Sequence, residues 1–222
     1  MRRLVLISLS LAVLVAGAYV GSSRSSTLTM ARAVRIAACK QVAKPAPRSS
    51  GSLKAPTSTL DPSKRWTLTF RTSCGTFVVL LQPKTSPHAT ASLVALARKR
   101  FFDNTIIHRV VPGFVIQGGD PTQTGGGGPG YTTVDTPGAG TRYRRGVVAM
   151  AKAPAEPRGT AGSQFFVMTA DAPTLPADYA VVGRVVSGMP VVTRIGKLGD
   201  PSDPNGTPTK TVTVSRVVVG KH

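Results

Sequence analysis

The run from Ile107 to Asp120, IHRVVPGFVIQGGD, contains the residues whose types and spacing suggest chemistry. It holds a permanently charged guanidinium at Arg109, an aromatic ring at Phe114 and an amide at Gln117. Side chains alternate between the two faces of a strand, so a turn at Pro112-Gly113 would bring Arg109 and Gln117 onto one surface. That surface would combine a rigid array of donors with an apolar floor. It would suit the binding of an uncharged polypeptide segment.

A purely structural role is the alternative for this run. Its β-branched residues and its Pro-Gly pair also fit two core strands joined by a turn, with Arg109 in a surface ion pair. From composition and spacing alone, this structural arrangement is the more common outcome for such a run.

Other kinds of active site are poorly supported. His88 and His108 lie in unrelated contexts, and the segment around Ser163 lacks the nucleophile-elbow spacing, so no hydrolase triad is predicted. The two cysteines and three histidines have no paired spacing, so we expect no metal and no cofactor. The glycine-rich run after Asp120 lacks a following Gly-Lys-Ser/Thr and does not fit a phosphate cradle. We predict a loop that borders a binding groove.

The elements that position these residues follow from the periodicity of the chain. The predicted strands cover residues 66–72, 76–81, 107–111, 114–116, 146–151, 164–169, 180–186 and 211–219. One predicted helix begins at Ser86-Pro87, with the serine as its cap, and a second covers residues 190–195. The sequence therefore predicts one mainly β domain over residues 66–222, with eight strands and two helices.

Two motifs of the chain resemble the hallmark sequences of the cyclophilins, the cyclosporin-type peptidyl-prolyl cis-trans isomerases. One is the run Ile107–Asp120, and the other is Gly162-Ser163-Gln164-Phe165-Phe166. Ile107 departs from the phenylalanine that the family usually has. The resemblance covers residues 66–219 and implies a closed, antiparallel eight-stranded β-barrel capped by two helices, in agreement with the elements counted above.

The resemblance also implies an activity, the rotation of X-Pro peptide bonds without a covalent intermediate. Arg109 would donate a hydrogen bond to the proline nitrogen, Phe114 would contact the proline ring, and Gln117 would orient Arg109. The implied substrate-binding residues are Val115, Gly126, Ala151, Lys152, Ala153, Gln164, Phe166, Leu175 and Tyr179.

Three positions depart from the family pattern around this site. Lys152 replaces a common asparagine that acts mainly through its backbone, and Tyr179 replaces a histidine. Thr174 replaces a tryptophan that shapes cyclosporin affinity, so we expect weak inhibition by cyclosporin.

Three functions compete for this domain. The first is an isomerase that acts on proline-containing polypeptides, as a monomer. The second is a catalytically weak chaperone module that only binds proline-containing peptides, and the third is a structural protein of the cell surface. A module that only binds has little need for a guanidinium, so Arg109 together with Phe114 and Gln117 favours the isomerase.

The first twenty residues predict export. Arg2 and Arg3 precede an uncharged segment, Leu4–Val20, and Ala16-Gly17-Ala18 supplies a small-residue cleavage site before Tyr19. A signal peptide is one interpretation, and an uncleaved N-terminal membrane anchor is the other. Both place the rest of the chain outside the cytoplasm, secreted or attached to the membrane.

Residues 21–65 predict a basic, flexible tether, because they are rich in Ser, Ala, Pro and Lys/Arg and have no sustained period. The only cysteines of the chain are Cys39 and Cys74, and a single pair in an exported protein predicts a disulfide. Ile36-Ala37-Ala38-Cys39 resembles a lipoprotein cleavage site, but Arg32 and Arg35 interrupt the apolar run that lipidation needs.

The chain is strongly basic, with a formal net charge of +19. Residues 1–65 hold 11 Lys/Arg and one acid, and residues 66–222 hold 17 Lys/Arg and 8 acids. No motif for reading bases or phosphates accompanies this charge, so we expect no specific nucleic-acid partner. Attraction to anionic lipid or cell-wall polymer explains the charge more simply.

Overall fold

Residues 38–222 are described by the structure, a computed structural model. The elements of this part are β1 (Trp66–Thr72), β2 (Gly75–Leu81), α1 (Pro87–Arg98), β3 (Thr105–Val111), β4 (Val115–Gly118), β5 (Thr133–Val134), β6 (Val147–Met150), β7 (Thr160–Ala161), β8 (Phe165–Met168), β9 (Val181–Ser187), α2 (Met189–Gly196) and β10 (Thr213–Lys221). The predicted segment 1–20 lies outside the described residues. Within residues 38–222, no helix combines the length and the apolar character that crossing a membrane requires.

Eight strands close into a barrel in the order β1-β10-β3-β4-β8-β6-β9-β2, and every neighbouring pair is antiparallel. Closure leaves no unpaired strand edge in the barrel. The predicted mainly β fold, a closed eight-stranded antiparallel barrel with two helices, is confirmed. β5 and β7 form a separate two-stranded sheet that was not predicted. Each has two residues, too few to show an alternating pattern.

The barrel interior is filled by aromatic rings from several strands. Phe70 stacks on Phe77 at 4.8 Å between ring centroids and contacts Phe165 at 4.9 Å. Each buried ring contributes roughly 1.5–3 kcal/mol through removal of apolar surface from water. Phe165 faces this core, whereas its neighbour Phe166 belongs to a second apolar cluster on the other face of β8. The alternation of β8 therefore separates a core ring from a ring that is free to line a site.

Helix α1 starts at Pro87 as predicted, but Ser86 does not cap it. The hydroxyl of Ser86 donates to the carbonyl oxygen of Val181, 2.7 Å away, and makes no side-chain cap. The carboxylate of Asp135 instead accepts hydrogen bonds from the backbone N–H groups of His88 (3.3 Å) and Ala89 (2.7 Å). A residue distant in sequence thus satisfies the free N–H groups at the start of α1.

Residues 38–65, here called the strap, are extended along the barrel rather than forming a free tether. The structure joins Cys39 to Cys74 by a disulfide. Leu53 and Leu60 pack against the barrel core, and the N–H of Leu53 donates to the carbonyl of Pro129 at 2.9 Å. The predicted flexibility of residues 38–65 therefore differs from the structure. The strap lacks a periodic pattern because its partners are backbone groups of irregular loops, while residues 21–37 lie outside the described part.

Candidate active site

The hairpin of β3 and β4 positions the two polar residues of the central run. Gly113, with a φ of 69°, allows the tight turn after Pro112, and the register then pairs Arg109 directly with Gln117. Nη1 of Arg109 donates to Oε1 of Gln117 at 3.4 Å. The co-facial placement that strand alternation suggested is thus present. Because this contact uses one guanidinium N–H, other donors of Arg109 are available to a bound chain.

A row of amides extends from Arg109 across the cleft wall. Nε2 of Gln117 donates to Oε1 of Gln164 at 3.0 Å. Nε2 of Gln164 in turn donates to the carbonyl oxygens of Gly125 (2.7 Å) and Gly127 (3.0 Å). Each donor-acceptor step fixes the orientation of the next amide, so Gln117 presents its oxygen to Arg109. The row holds the guanidinium in place and ties it to the glycine-rich loop.

An apolar floor lies beside this row. It is formed by the second cluster, in which Val115, Phe166 and Tyr143 are buried and Phe114, Leu175 and Tyr179 are partly exposed. Phe166 and Tyr179 meet edge to face with 5.3 Å between ring centroids. A compact apolar group such as a proline ring can rest on such a surface without burying an unpaired polar group.

Tyr143 is a site residue that sequence reasoning missed. Its hydroxyl accepts a hydrogen bond from the N–H of Tyr179 and donates to the carbonyl of the same residue, both at 2.9 Å. Burial raises the pKa of Tyr143 above its ordinary value, so the hydroxyl keeps its proton. Tyr143 thereby fixes Tyr179 at the edge of the floor. It stands in the basic run Arg142–Arg145, where no apolar pattern marks it.

Two adjoining depressions contain the predicted site residues. A cleft of about 840 Å³ is lined by Arg109, Phe114, Val115, Gln117, Ala151, Lys152, Phe166, Leu175 and Tyr179 among others. A shallower groove of about 720 Å³ is lined by Gln117, Gly126, Ala151, Lys152, Ala153 and Gln164 among others. Every predicted catalytic or substrate-binding residue lines one or both of them. Thr174 is exposed and is not among the residues that line the cleft.

A buried carboxylate organises the glycine-rich loop between the two depressions. Oδ1 of Asp120 accepts from the N–H (2.7 Å) and hydroxyl (2.8 Å) of Thr122, and Oδ2 accepts from the N–H groups of Thr124 (3.1 Å) and Gly125 (2.6 Å). Burial opposes ionisation most strongly, yet these hydrogen bonds together outweigh it and lower the pKa of Asp120. A side chain at Gly127 would collide with this carboxylate. The loop is therefore rigid although it has no regular structure.

His108 lines the cleft, although strict alternation along β3 would place it on the face opposite Arg109. A register irregularity between Ile107 and Arg109 breaks the strict alternation of β3, and His108 lines the cleft together with Arg109. Burial is the main cause that lowers the pKa of His108. The imidazole is therefore neutral at pH 7 and adds no charge to the cleft.

Comparison with known proteins identifies the family. Residues 67–219 match the sequence model described as cyclophilin type peptidyl-prolyl cis-trans isomerase/CLD. A peptidyl-prolyl cis-trans isomerase-like 1 from Gibberella zeae is 34% identical over 155 residues, covering 68% of this chain and 94% of the relative. Peptidyl-prolyl cis-trans isomerase B from Bacillus subtilis is 42% identical over 110 residues, covering 49% of this chain and 75% of the relative.

Solved structures agree with these sequence relationships. The crystal structure of a cyclophilin-type isomerase from Cryptosporidium parvum superposes with a TM-score of 0.64 at 29% identity. The superposition covers 71% of this chain and 99% of the other. The same protein in the presence of the dipeptide Ala-Pro gives a TM-score of 0.63 at 30% identity, covering 70% and 99% of the two chains. The family match, the relatives and the closed barrel with an Arg-Gln pair beside an apolar floor agree. This chain belongs to the cyclophilin-type peptidyl-prolyl cis-trans isomerases.

Proposed function

We propose that this protein accelerates rotation about X-Pro bonds in exported polypeptides, with Arg109 as the donor to the proline nitrogen. The observation that carries the proposal is the position of the guanidinium beside the floor of Phe114 and Phe166. A hydrogen bond of 3.4 Å from Nη1 of Arg109 to Oε1 of Gln117 holds it there. A proline on that floor would have its ring in apolar contact and its nitrogen near a cation.

The electronic structure of the peptide bond explains why such a donor is useful. Rotation has a barrier of about 18–20 kcal/mol because the amide nitrogen shares its lone pair with the carbonyl group. In the twisted state the nitrogen is pyramidal, and its lone pair can accept a hydrogen bond. A donor that meets the nitrogen only in this state lowers the barrier without tightening the binding of the planar substrate. No bond is made or broken.

The groove next to the cleft supports the binding of a longer polypeptide. Gly126, Ala151 and Ala153 line it with small side chains, which leave room for a main chain to lie against their backbone. The Cryptosporidium parvum relative was crystallised in the presence of Ala-Pro, a proline-containing dipeptide. We infer that proline-containing segments are the ligands here as well, and that the protein acts as a monomer.

An extracytoplasmic location is part of the same proposal. The segment Leu4–Val20 behind Arg2 and Arg3 has the composition of an export signal. The Cys39–Cys74 disulfide supports it, since disulfides persist mainly in oxidising compartments outside the cytoplasm. Mass spectrometry of the N-terminus, with fractionation of producing cells, tests this part. Full-length protein that remains in the cytoplasm would contradict it.

The activity is tested by following cis-trans exchange of an X-Pro peptide with the full chain, by protease-coupled assay or by NMR exchange. We expect a large acceleration over the uncatalysed reaction, which takes about 10–100 s at 25 °C. Arg109→Lys keeps the charge but loses the planar fork, so its rate should be poor. Peptide binding without acceleration would instead make the protein a catalytically weak chaperone module.

A further inference from the structure

The strap contributes residues to the rim of the active site. Lys44 lines the cleft that contains Arg109, and Ser50 lines the adjoining groove. Neither residue belongs to the barrel, and neither lies in the part of the chain that matches the family. The cleft of this protein therefore has a wall that barrel residues alone do not supply.

Bonds on both sides of Lys44 hold the strap at this position. Cys39 is joined to Cys74 by the disulfide, and the carbonyl of Pro45 accepts a hydrogen bond from Nε2 of Gln123 at 2.9 Å. Further along, the N–H of Arg48 donates to the carbonyl of Pro121 at 2.8 Å. Gln123 itself lines the cleft. The backbone of Lys44 is thus fixed next to the substrate-binding surface.

The cleft is positively charged. Its lining includes Lys44, Arg109 and Lys152 and contains neither Asp nor Glu. The ion pairs within residues 38–222 are Arg158–Asp178 and Arg216–Asp103, so none of these three cations has a carboxylate within 4.0 Å. Repulsion between like charges in a partly enclosed space is relieved when an anionic group enters.

The two lysines differ in how firmly they are held. Nζ of Lys152 donates to the carbonyls of Glu156 (2.9 Å), Ala153 (3.1 Å) and Pro154 (3.5 Å), which uses its three N–H donors, and lies 5.9 Å from the centroid of the Tyr179 ring. This ammonium group is directed along the edge of the floor. Lys44 is exposed on the strap and has a long, adaptable side chain. Lys152 thus contributes a fixed positive charge at the cleft, and Lys44 contributes an adjustable donor for a carboxylate.

We propose that Lys44 and Lys152 make the cleft select client segments in which Asp or Glu lies close to the proline. This inference rests on the proposed isomerase function and names its substrate class. Charge complementarity at a binding site mainly sets specificity and the rate of association. Since Arg109 donates to the proline nitrogen in the proposed mechanism, the client carboxylate pairs with Lys44, and the fixed charge of Lys152 adds to the attraction.

The test measures kcat/KM for peptides that differ only at one position near the proline, where Glu, Gln or Lys is placed on either side. For the wild-type chain at low salt we expect a roughly three- to tenfold preference for Glu over Gln, and a disadvantage for Lys, at one or more positions. At about 0.5 M salt the preference should shrink, because ions screen partly exposed charges.

Two matched variants locate the effect. Lys44→Glu should abolish the preference for Glu and favour the Lys peptide. Lys54→Glu makes the same change in net charge on the same strap, but Lys54 lines neither depression. It should keep the wild-type preference.

Each outcome has one meaning. Absence of isomerisation for every peptide would defeat the proposed function itself. Isomerisation without a charge preference would overturn this inference alone. Equal loss of the preference in Lys44→Glu and Lys54→Glu would also overturn it, since the general positive field of the protein would then be responsible.

Discussion

The two sides of the cleft are built in different ways. On one side, Arg109 and Gln117 face each other across the paired strands β3 and β4, and Gln164 immediately precedes β8. On the other side, the strap and the glycine-rich loop have no helix or strand. The strap is held by the Cys39–Cys74 disulfide and isolated backbone hydrogen bonds, and the loop by hydrogen bonds to the carboxylate of Asp120. Paired strands position a donor within a fraction of an ångström. The strap makes no hydrogen bond to Arg109, Gln117 or Gln164, so it can change without disturbing that donor and suits the selection of clients.

Removal of the donor on the strand side should have the largest effect. Arg109→Ala should lower kcat/KM by about two to three decades, because loss of a donor matched to the transition state commonly costs about 3–4 kcal/mol. The free energy of unfolding should change little, since Arg109 is partly exposed and makes one contact of 3.4 Å. Arg71→Ala, at an exposed site on β1, is the control. Near-normal turnover of a correctly folded Arg109→Ala protein would show that the strand side of the cleft does not supply the catalytic donor.

Breaking the disulfide should lower the stability of the protein and leave its turnover largely intact, the reverse of what we expect for Arg109→Ala. The Cys39→Ser, Cys74→Ser double variant opens a link across a sequence separation of 35 residues. In the chain-entropy model it should lower the free energy of unfolding by about 3–4 kcal/mol, measured by denaturant titration. Turnover of an uncharged peptide should fall far less than in Arg109→Ala. A loss of turnover as large as that of Arg109→Ala would show that the strap supports the chemistry and not only selection.

A smaller change tests the contact between strap and loop directly. A Cβ at Gly51 would lie 2.8 Å from the carbonyl oxygen of Pro129, so Gly51→Ala must shift one of the two segments. We expect a loss of about 1–3 kcal/mol in the free energy of unfolding and faster hydrogen exchange at the N–H of Leu53. Gly128→Ala places its Cβ in open space and is the matched control. Equal effects of the two variants would mean that the close approach is not important.

The smallest expected effect is the acid sensitivity of the loop. The folded-state pKa of Asp120 is lowered, so the ionised carboxylate stabilises the native protein at pH values above the ordinary pKa of about 3.9. This contribution is lost as the pH falls from there through the folded-state pKa. Asp120→Asn should therefore be less stable than wild type at pH 6, and the difference should narrow below about pH 4. If the difference in stability between Asp120→Asn and wild type did not change with pH, the role given to the ionised Asp120 carboxylate would be contradicted.

The strand side could be predicted from the sequence for a simple physical reason. A strand has a side-chain period of two, so the types and spacing of Arg109, Phe114 and Gln117 already imply a shared surface once a turn is assumed. The same alternation separates Phe165 from Phe166. The two motifs also indicated the family, whose model matches residues 67–219, and its closed barrel.

The strap side could not be predicted because its contacts leave no pattern in the side chains. The N–H of Gly51 donates to the carbonyl of Gly128, and such backbone pairs are open to almost any residue type. Tyr143 and Asp135 each act on a distant element through two hydrogen bonds, which have no local signature. Strict alternation would place His108 opposite Arg109, but the irregularity in β3 shifts the register, and periodicity contains no information about such a shift.

The pairing of β1 with β10 has a consequence for the order in which the protein folds. β1 is among the first strands to be synthesised and β10 is the last, yet Trp66 pairs with Lys221 and Phe70 with Val217. Contacts of such high sequence separation form slowly, so barrel closure is a late event that follows synthesis of the last strand. Cys39 and Cys74 both precede most of the barrel in sequence and can be oxidised earlier. The covalent link can therefore form before the catalytic surface is complete.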